Sequence, residues 1–288
     1  NEHSWIGKIK NIKTLMAKYG VSKPIWLTEV NLYQTGTYDP AAYTDEKYAE
    51  YLTRAFIINE AENAADKVYL YNFKNDGTDT EEQEHNFGIV EAGMGNSGLR
   101  YAAKPGYLAM SNYNAMMTNA KYVSVLSDTD AERVYRFKAE DGADLYAAWS
   151  NTGSGTLEIS AAKAVLYDMY GNETVMTADS SGKISVALGE KTVYLKTNFI
   201  SIFDSDGNTI TDLKQISAGD TISFSGVFED ADYTLVCAVY KDGLLTYMEA
   251  SDSADGTCTL GTDADMVKVF GWKDLRSLTP FSEALVIQ

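Results

Sequence analysis

The stretch 23-KPIWLTEVN-31 decides how the first part of this chain is read. It is a short oily run that ends on an acid. Side chains alternate along a strand, so the spacing predicts Ile25, Leu27 and Glu29 on one face. Two apolar residues followed by a carboxylate is an unusual core row, because an unpaired buried carboxylate costs several kcal/mol or is forced neutral. From pattern alone Glu29 is either a solvated acid at a strand end or a group held there for chemistry.

Around this strand the pattern alternates between helix and strand. Residues 4–19, SWIGKIKNIKTLMAKY, place Trp5, Ile9, Ile12, Leu15, Met16 and Tyr19 at helical spacing, with Ser4 as N-cap and Gly20 as stop. A second helix follows in DEKYAEYLTRAFIINEAENAA, with Tyr48, Leu52, Ala55, Phe56 and Asn59 along one side. KVYLYNF, residues 67–73, reads as a strand, and a long polar loop leads to a third helix near Lys104 with Pro105 in its first turn. The order α-β-α-β-α predicts parallel strands joined by crossover helices. In a barrel of such units the catalytic groups sit at the C-terminal strand ends, which is where Glu29 falls.

After Thr118 the character changes. KYVSVLS, RVYRFKA, DLYAAWS, TLEISA, AVLYDMY, KISVALG and TVYLKT recur at short intervals, punctuated by Asp141-Gly142, Gly171-Asn172 and Ser181-Gly182. This predicts an all-β sandwich over 119–197. A second all-β unit over 198–288 carries DTISFSGVF, YTLVCAVY, LLTYMEA and MVKVFGW. The two units share no period, so they are not read as repeats.

Bulk properties narrow the function. A 45% hydrophobic content supports packed cores. The net charge of −17 argues against nucleic acid or an anionic membrane surface as partner. No run approaches the roughly 18 apolar residues of a membrane span, and the opening NEHSWIGKIK does not read as a signal peptide. Cys237 and Cys258 form one disulfide in an oxidising compartment or remain two buried thiols. The histidines are His3 and His85, too few to build a zinc cluster with distant cysteines, and no cofactor is expected. The stretch 204-DSDGNTITDLKQ-215 mimics a calcium loop but lacks Gly at its sixth and Glu at its twelfth position, so it is read as a hairpin turn.

KYGVSKPIWLTEVNLY resembles the seventh-strand segment of retaining (β/α)₈ glycoside hydrolases of clan A, in which the Glu after Thr is the nucleophile. KVYLYNFKNDGTD, HNFGIV and KPGYLAMSNY are similar to the eighth strand, its loop and the closing helix of such enzymes. A β-sandwich behind the barrel is usual in several of those families, so the resemblance covers roughly residues 1–197. VKVFGWKDLRSLTPF resembles the end of Ig-like modules appended to secreted polysaccharide-degrading proteins of anaerobic bacteria.

The fold class this implies is multidomain: the last two βα units of a (β/α)₈ barrel at 1–118, a β-sandwich at 119–197 and an Ig-like β-sandwich at 198–288. The implied activity is retaining hydrolysis of a β-linked oligo- or polysaccharide by a secreted or cell-surface bacterial protein, with Glu29 as nucleophile. Tyr69, Tyr71, Asn31 and His85 are the candidate substrate contacts. Each also has an ordinary reading: packing aromatics for Tyr69 and Tyr71, the start of a turn for Asn31, a solvated loop residue for His85. The second carboxyl of this chemistry follows Asn on the fourth strand. Asn1-Glu2 has the right dipeptide but the wrong spacing, since 27 positions separate Glu2 from Glu29 while three βα units need about 30 residues each. The implied partner is the remainder of the barrel, without which the chain is expected to be inactive. The rival readings are a non-catalytic carbohydrate-binding or surface-attachment protein and a β-rich spacer.

Overall fold

The computed structural model describes residues 4–30, 44–79, 82–94, 98–230, 232–261, 264–273, 276, 280 and 284–288. Asn1, Glu2, His3 and Asn31 lie outside these residues.

The N-terminal part is helical with one small sheet. Helix α1 (Ser4–Lys18) leads to strand β1 (Trp26–Val30), helix α2 (Asp45–Glu62), strand β2 (Lys67–Leu70) and helix α3 (Pro105–Met117). Thr44 caps α2 by accepting the Lys47 amide, and Asn63 closes it in the left-handed conformation. Pro105 opens α3, where its missing N–H removes a donor that has no helical partner. β1 and β2 pair in parallel, and Asp66 Oδ2 accepts the Ile25 amide at 2.7 Å just ahead of the ladder.

The first β unit has eight strands: β3 (Lys121–Asp128), β4 (Arg133–Lys138), β5 (Asp144–Trp149), β6 (Gly155–Ser160), β7 (Lys163–Tyr167), β8 (Glu173–Thr177), β9 (Lys183–Leu188) and β10 (Val193–Thr197). Six form one antiparallel sheet in the order β3-β4-β5-β10-β7-β8, and β6 pairs with β9 in a second. Leu157, Ile159, Ile184, Val186 and Leu188 of the small sheet pack with Tyr146, Ala148 and Leu195 of the large one. The other face of the large sheet, through Phe137, Leu145, Trp149 and Tyr194, shares a core with Ile6, Leu52, Ile58 and Met110 of the helices. The hydrophobic core therefore runs unbroken across position 118.

The last unit has strands β11 (Phe199–Phe203), β12 (Thr221–Val227), β13 (Thr234–Lys241), β14 (Leu244–Ser251), β15 (Asp255–Thr259), β16 (Met266–Trp272) and β17 (Leu285–Ile287). A three-stranded sheet, β11-β12-β15, faces a four-stranded one, β14-β13-β16-β17, across a separate core. The junction to the preceding unit is hydrogen-bonded. Asn198 donates to Asp144 Oδ2 and accepts from the Glu229 amide, while the Ala162 amide donates to the Glu229 carbonyl. The segment at 204–208 is a hairpin turn, as its missing calcium-loop residues predict: Asp204 accepts the Asp206 and Asn208 amides. No group of three metal-ligating side chains occurs among the described residues. No helix there is long and apolar enough to cross a membrane.

Candidate active site

The strand that carries Glu29 does not alternate simply. Leu27 pairs with Val68 and Val30 with Leu70, so three residues advance on β1 where two advance on β2. Thr28 and Glu29 together oppose Tyr69. This bulge corrects the expected shared face of Ile25, Leu27 and Glu29. Ile25, Leu27, Val68 and Leu70 pack against the helical core, and Val30 is buried. The extra residue shifts the phase by one, so Val30 pairs opposite Leu70 and is buried while Glu29 is exposed. An acid on the core-facing row would have lost its solvation; the bulge takes it off that row.

Register puts Glu29 on the side opposite the helices, with Trp26 and Tyr69. Trp26 is 52% exposed and Tyr69 46%, and their rings approach at 6.4 Å. The Lys67 ammonium lies 4.5 Å from the centre of the Trp26 ring. Alongside β2 a groove of about 450 Å³ is lined by Tyr69, Phe73, Ile89, Tyr107 and Met110. Phe73 and Tyr107 meet edge to face at 6.3 Å on its wall.

Tyr71 continues the ladder past β2, its amide donating to the Val30 carbonyl at 2.9 Å. The Tyr71–Asn72 peptide bond is cis. Tyr71 is half-buried, edge-on to Phe87 at 5.8 Å, and its hydroxyl donates to Asp76 Oδ2 at 3.2 Å. Asn72 donates to the other oxygen of the same carboxylate at 3.2 Å. The Asp76 charge, then the hydrogen bond it accepts, holds the Tyr71 phenol above its ordinary pKa, and the charges of Glu84 and Glu29 push the same way. Tyr71 is therefore a neutral donor beside a group of carboxylates that includes Glu29.

The loop after β2 is folded back onto the strand end. Asn72 donates its amide to Phe87, Ile89 returns one to Asn72, and the buried Asn75 side chain accepts the Gly88 amide at 2.8 Å. Gly88 has to be glycine, since a Cβ there would sit 2.0 Å from the Asn75 nitrogen. Gly77 has a similar role, because a Cβ would meet the His85 ring at 2.4 Å. His85 is thus packed onto its own loop, half-buried over Gly77.

The structure brings Glu29, Tyr69 and Tyr71 to one end of the β1–β2 pair, with His85 in the loop beside them. Asp76 and Asn72 were not singled out from the sequence. Asn75-Asp76-Gly77 carries only a turn signal, and nothing in it marks Asp76 as the acceptor for Tyr71.

No protein-family model and no curated protein matches the sequence. Among solved structures the chain is similar to a family 39 glycoside hydrolase from Bacteroides cellulosilyticus WH2, at 25% identity and a TM-score of 0.53, over 66% of this chain and 37% of that one. It also aligns with GH30 xylanase C from Talaromyces cellulolyticus (18% identity, TM-score 0.42, 61% of this chain and 41% of that one). A glucosidase from Croceicoccus marinus aligns at 11% identity and a TM-score of 0.41, over 91% of this chain and 48% of that one. The chain spans less than half the length of each of these proteins. About two thirds of it shares its fold with part of the family 39 glycoside hydrolase.

Proposed function

We propose that this chain is the C-terminal portion of a retaining clan A glycoside hydrolase acting on a β-linked oligo- or polysaccharide, with Glu29 as nucleophile. The observation that carries the reading is the bulge in β1, which puts Glu29 on the aromatic, helix-free side at the C-terminal end of a parallel strand. In a closed barrel that side is the interior, and this end is the active-site rim.

Retaining hydrolysis needs two carboxyl groups about 5–5.5 Å apart. The Glu29 carboxylate attacks the anomeric carbon as the second group protonates the departing oxygen, breaking the glycosidic bond and forming a glycosyl ester. The second group then takes a proton from water, whose oxygen displaces Glu29 and restores it. Tyr71, neutral and donating its hydrogen bond to Asp76, offers its phenol oxygen as an acceptor for a sugar hydroxyl, and Tyr69 offers a ring face to a sugar. Asn31 and His85 complete the proposed contacts. The proton-donating carboxyl belongs to the missing strands one to six of the barrel, because two strands cannot close one. The groove along β2 is where the first strand would pair. The three parts would be the barrel end at 1–118, a β-sandwich at 119–197 and an Ig-like accessory module at 198–288, in a secreted or cell-surface protein.

The test is reconstitution. This chain alone is expected not to hydrolyse aryl β-glycosides, and to do so once joined to the portion carrying strands one to six. In the joined protein Glu29→Gly should be inactive and regain turnover with azide, giving a glycosyl azide of inverted configuration. Turnover by the isolated chain, or full activity of Glu29→Gly without azide, would overturn the proposal.

A further inference from the structure

The two cysteines meet across the core of the last unit. Cys237 lies in the middle of β13, between Glu249 of β14 and Val269 of β16, in the four-stranded sheet. Cys258 lies in β15, opposite Ile222 of β12, in the three-stranded sheet. Both are buried in one cluster with Ile222, Val239 and Val269. Residues of β13 and β15 come within 8 Å of each other, Cα to Cα. Hydrogen bonding with the neighbouring Cys258 thiol first, and burial second, push the Cys237 thiol far above its ordinary pKa. Both are free thiols in this structure.

A single buried cysteine is ordinary core filling. Here the chain's 2 cysteines come from facing sheets and end side by side, which is the placement a bridge requires. The loop they would close contains β14, the least buried strand of its sheet: Leu244, Leu245, Tyr247 and Met248 are all exposed on it. Among the described residues β14 pairs with β13 on one side and with no strand on the other.

We infer that Cys237 and Cys258 are a cross-linking site, oxidised to a disulfide that ties the two sheets together at the base of the β13–β14–β15 segment. The reaction is thiol–disulfide exchange with a small disulfide such as oxidised glutathione. One cysteine thiolate attacks the disulfide and expels a thiolate. The second cysteine then attacks the mixed disulfide, forming Cys237–Cys258 and releasing the second thiol. Two protons leave the cysteines, and the two electrons reduce the oxidant. Both thiols are buried, so exchange proceeds while this unit is open, during folding or in a brief unfolding. The inference is independent of the glycosidase reading.

The full chain, reduced and then refolded in a mixture of oxidised and reduced glutathione, is denatured with an alkylating reagent and digested. We expect a peptide pair joined through Cys237 and Cys258, no alkylated cysteine, and a mass lower by two hydrogens. Amide exchange in β14 should be at least tenfold slower in the oxidised than in the reduced protein, and should not respond to oxidation in Cys258→Ala. Two fully alkylated cysteines, glutathione left on either one, or equal β14 exchange in both forms would overturn it.

Discussion

Strands β1 and β5 are both oily runs with one face on the helical core, yet they end in opposite environments. Every residue of β5 is buried: Leu145, Ala147 and Trp149 lie against the helical layer, and Tyr146 and Ala148 against the β6–β9 sheet. In β1 only Val30 is buried, although Ile25 and Leu27 beside it meet the same helical core. The difference is one layer. β5 is covered on both faces, whereas the Trp26 and Tyr69 side of β1–β2 has no layer over it among the described residues. Helix α1 repeats the pattern, with Ile6 and Ile9 buried and Ile12 and Leu15 open, as is Tyr19 just after it. An exposed aromatic and aliphatic surface of this extent is expected where another part of the protein packs. This is the structural argument for the barrel portion proposed above.

The largest expected effect lies on the open side. In the joined protein, Glu29→Gln should lower kcat by about 10⁴-fold or more, as loss of a nucleophile does in other hydrolases. A loss below tenfold would break the assignment. The next effect separates the two sides by stability. Phe137→Ala or Trp149→Ala should destabilise this chain by about 3–5 kcal/mol, since both side chains are fully buried. Trp26→Ala should change it by less than about 0.5 kcal/mol, as its ring is half in water. Urea midpoints of the three variants check this, and similar values for Trp149 and Trp26 would erase the contrast.

A third prediction concerns how the helices are fixed to the covered sheet. Arg54 on α2 is buried, donates to the Glu190 carbonyl, lies 3.7 Å from Glu50 and stacks 5.9 Å from the Trp149 ring centre. Thr53 and Thr192 hydroxyls bond at 3.2 Å beside it. Arg54→Met should cost about 1–3 kcal/mol, because it removes the charged donor to the Glu190 carbonyl, while Glu50 keeps Lys47 at 3.0 Å. An unchanged urea midpoint would show that the contact between α2 and the β9–β10 turn contributes little.

The smallest effect is a pH dependence. Asp144 is 2% exposed; burial works to raise its pKa, but hydrogen bonds from Asn198, Arg136 and Lys138 prevail and hold it below the ordinary carboxylate range. A depressed folded pKa means the stabilisation is fully present above the unfolded value of about 3.9. It is lost as pH falls below that value through the folded pKa. Asp144→Asn should therefore flatten the acid limb of the stability curve below about pH 4. An acid limb as steep as in the unsubstituted chain would remove Asp144 as its source.

Much of the fold was legible because the elements carry strong periods. Ile9 in α1, Tyr48 and Leu52 in α2, and the alternation of β9 appear in the sequence as they appear in the core, whereas Ile6 and Ile58 are core residues that the helical rows did not include. Four strands were not singled out: β17 is only three residues long, and the other three have physical reasons of their own. β8 is an edge strand with exposed residues and no clear alternation. β11 follows β10 after only Asn198, whose φ of +59° turns the chain at a residue that reads as part of the run. β15, Asp-Gly-Thr-Cys-Thr, buries only Cys258 among its side chains.

At the candidate site, the strand and its acid were legible but the facing was not. Period-two reasoning assigns Glu29 to the row of Ile25 and Leu27, and an inserted residue leaves no mark in composition or alternation. The mutual contacts of Tyr71, Asn72 and Asp76 were also hidden, because they depend on a loop that folds back through Gly88 and Asn75.

Covalent trapping addresses the central assignment most directly. The joined protein is incubated with a 2-fluoro-glycoside bearing a good leaving group, digested, and its peptides sequenced by mass spectrometry. A fluoroglycosyl ester on the peptide containing Glu29, absent in Glu29→Gln, is the predicted result. An active protein whose label sits on a different carboxylate, or is unaffected by Glu29→Gln, would contradict the account.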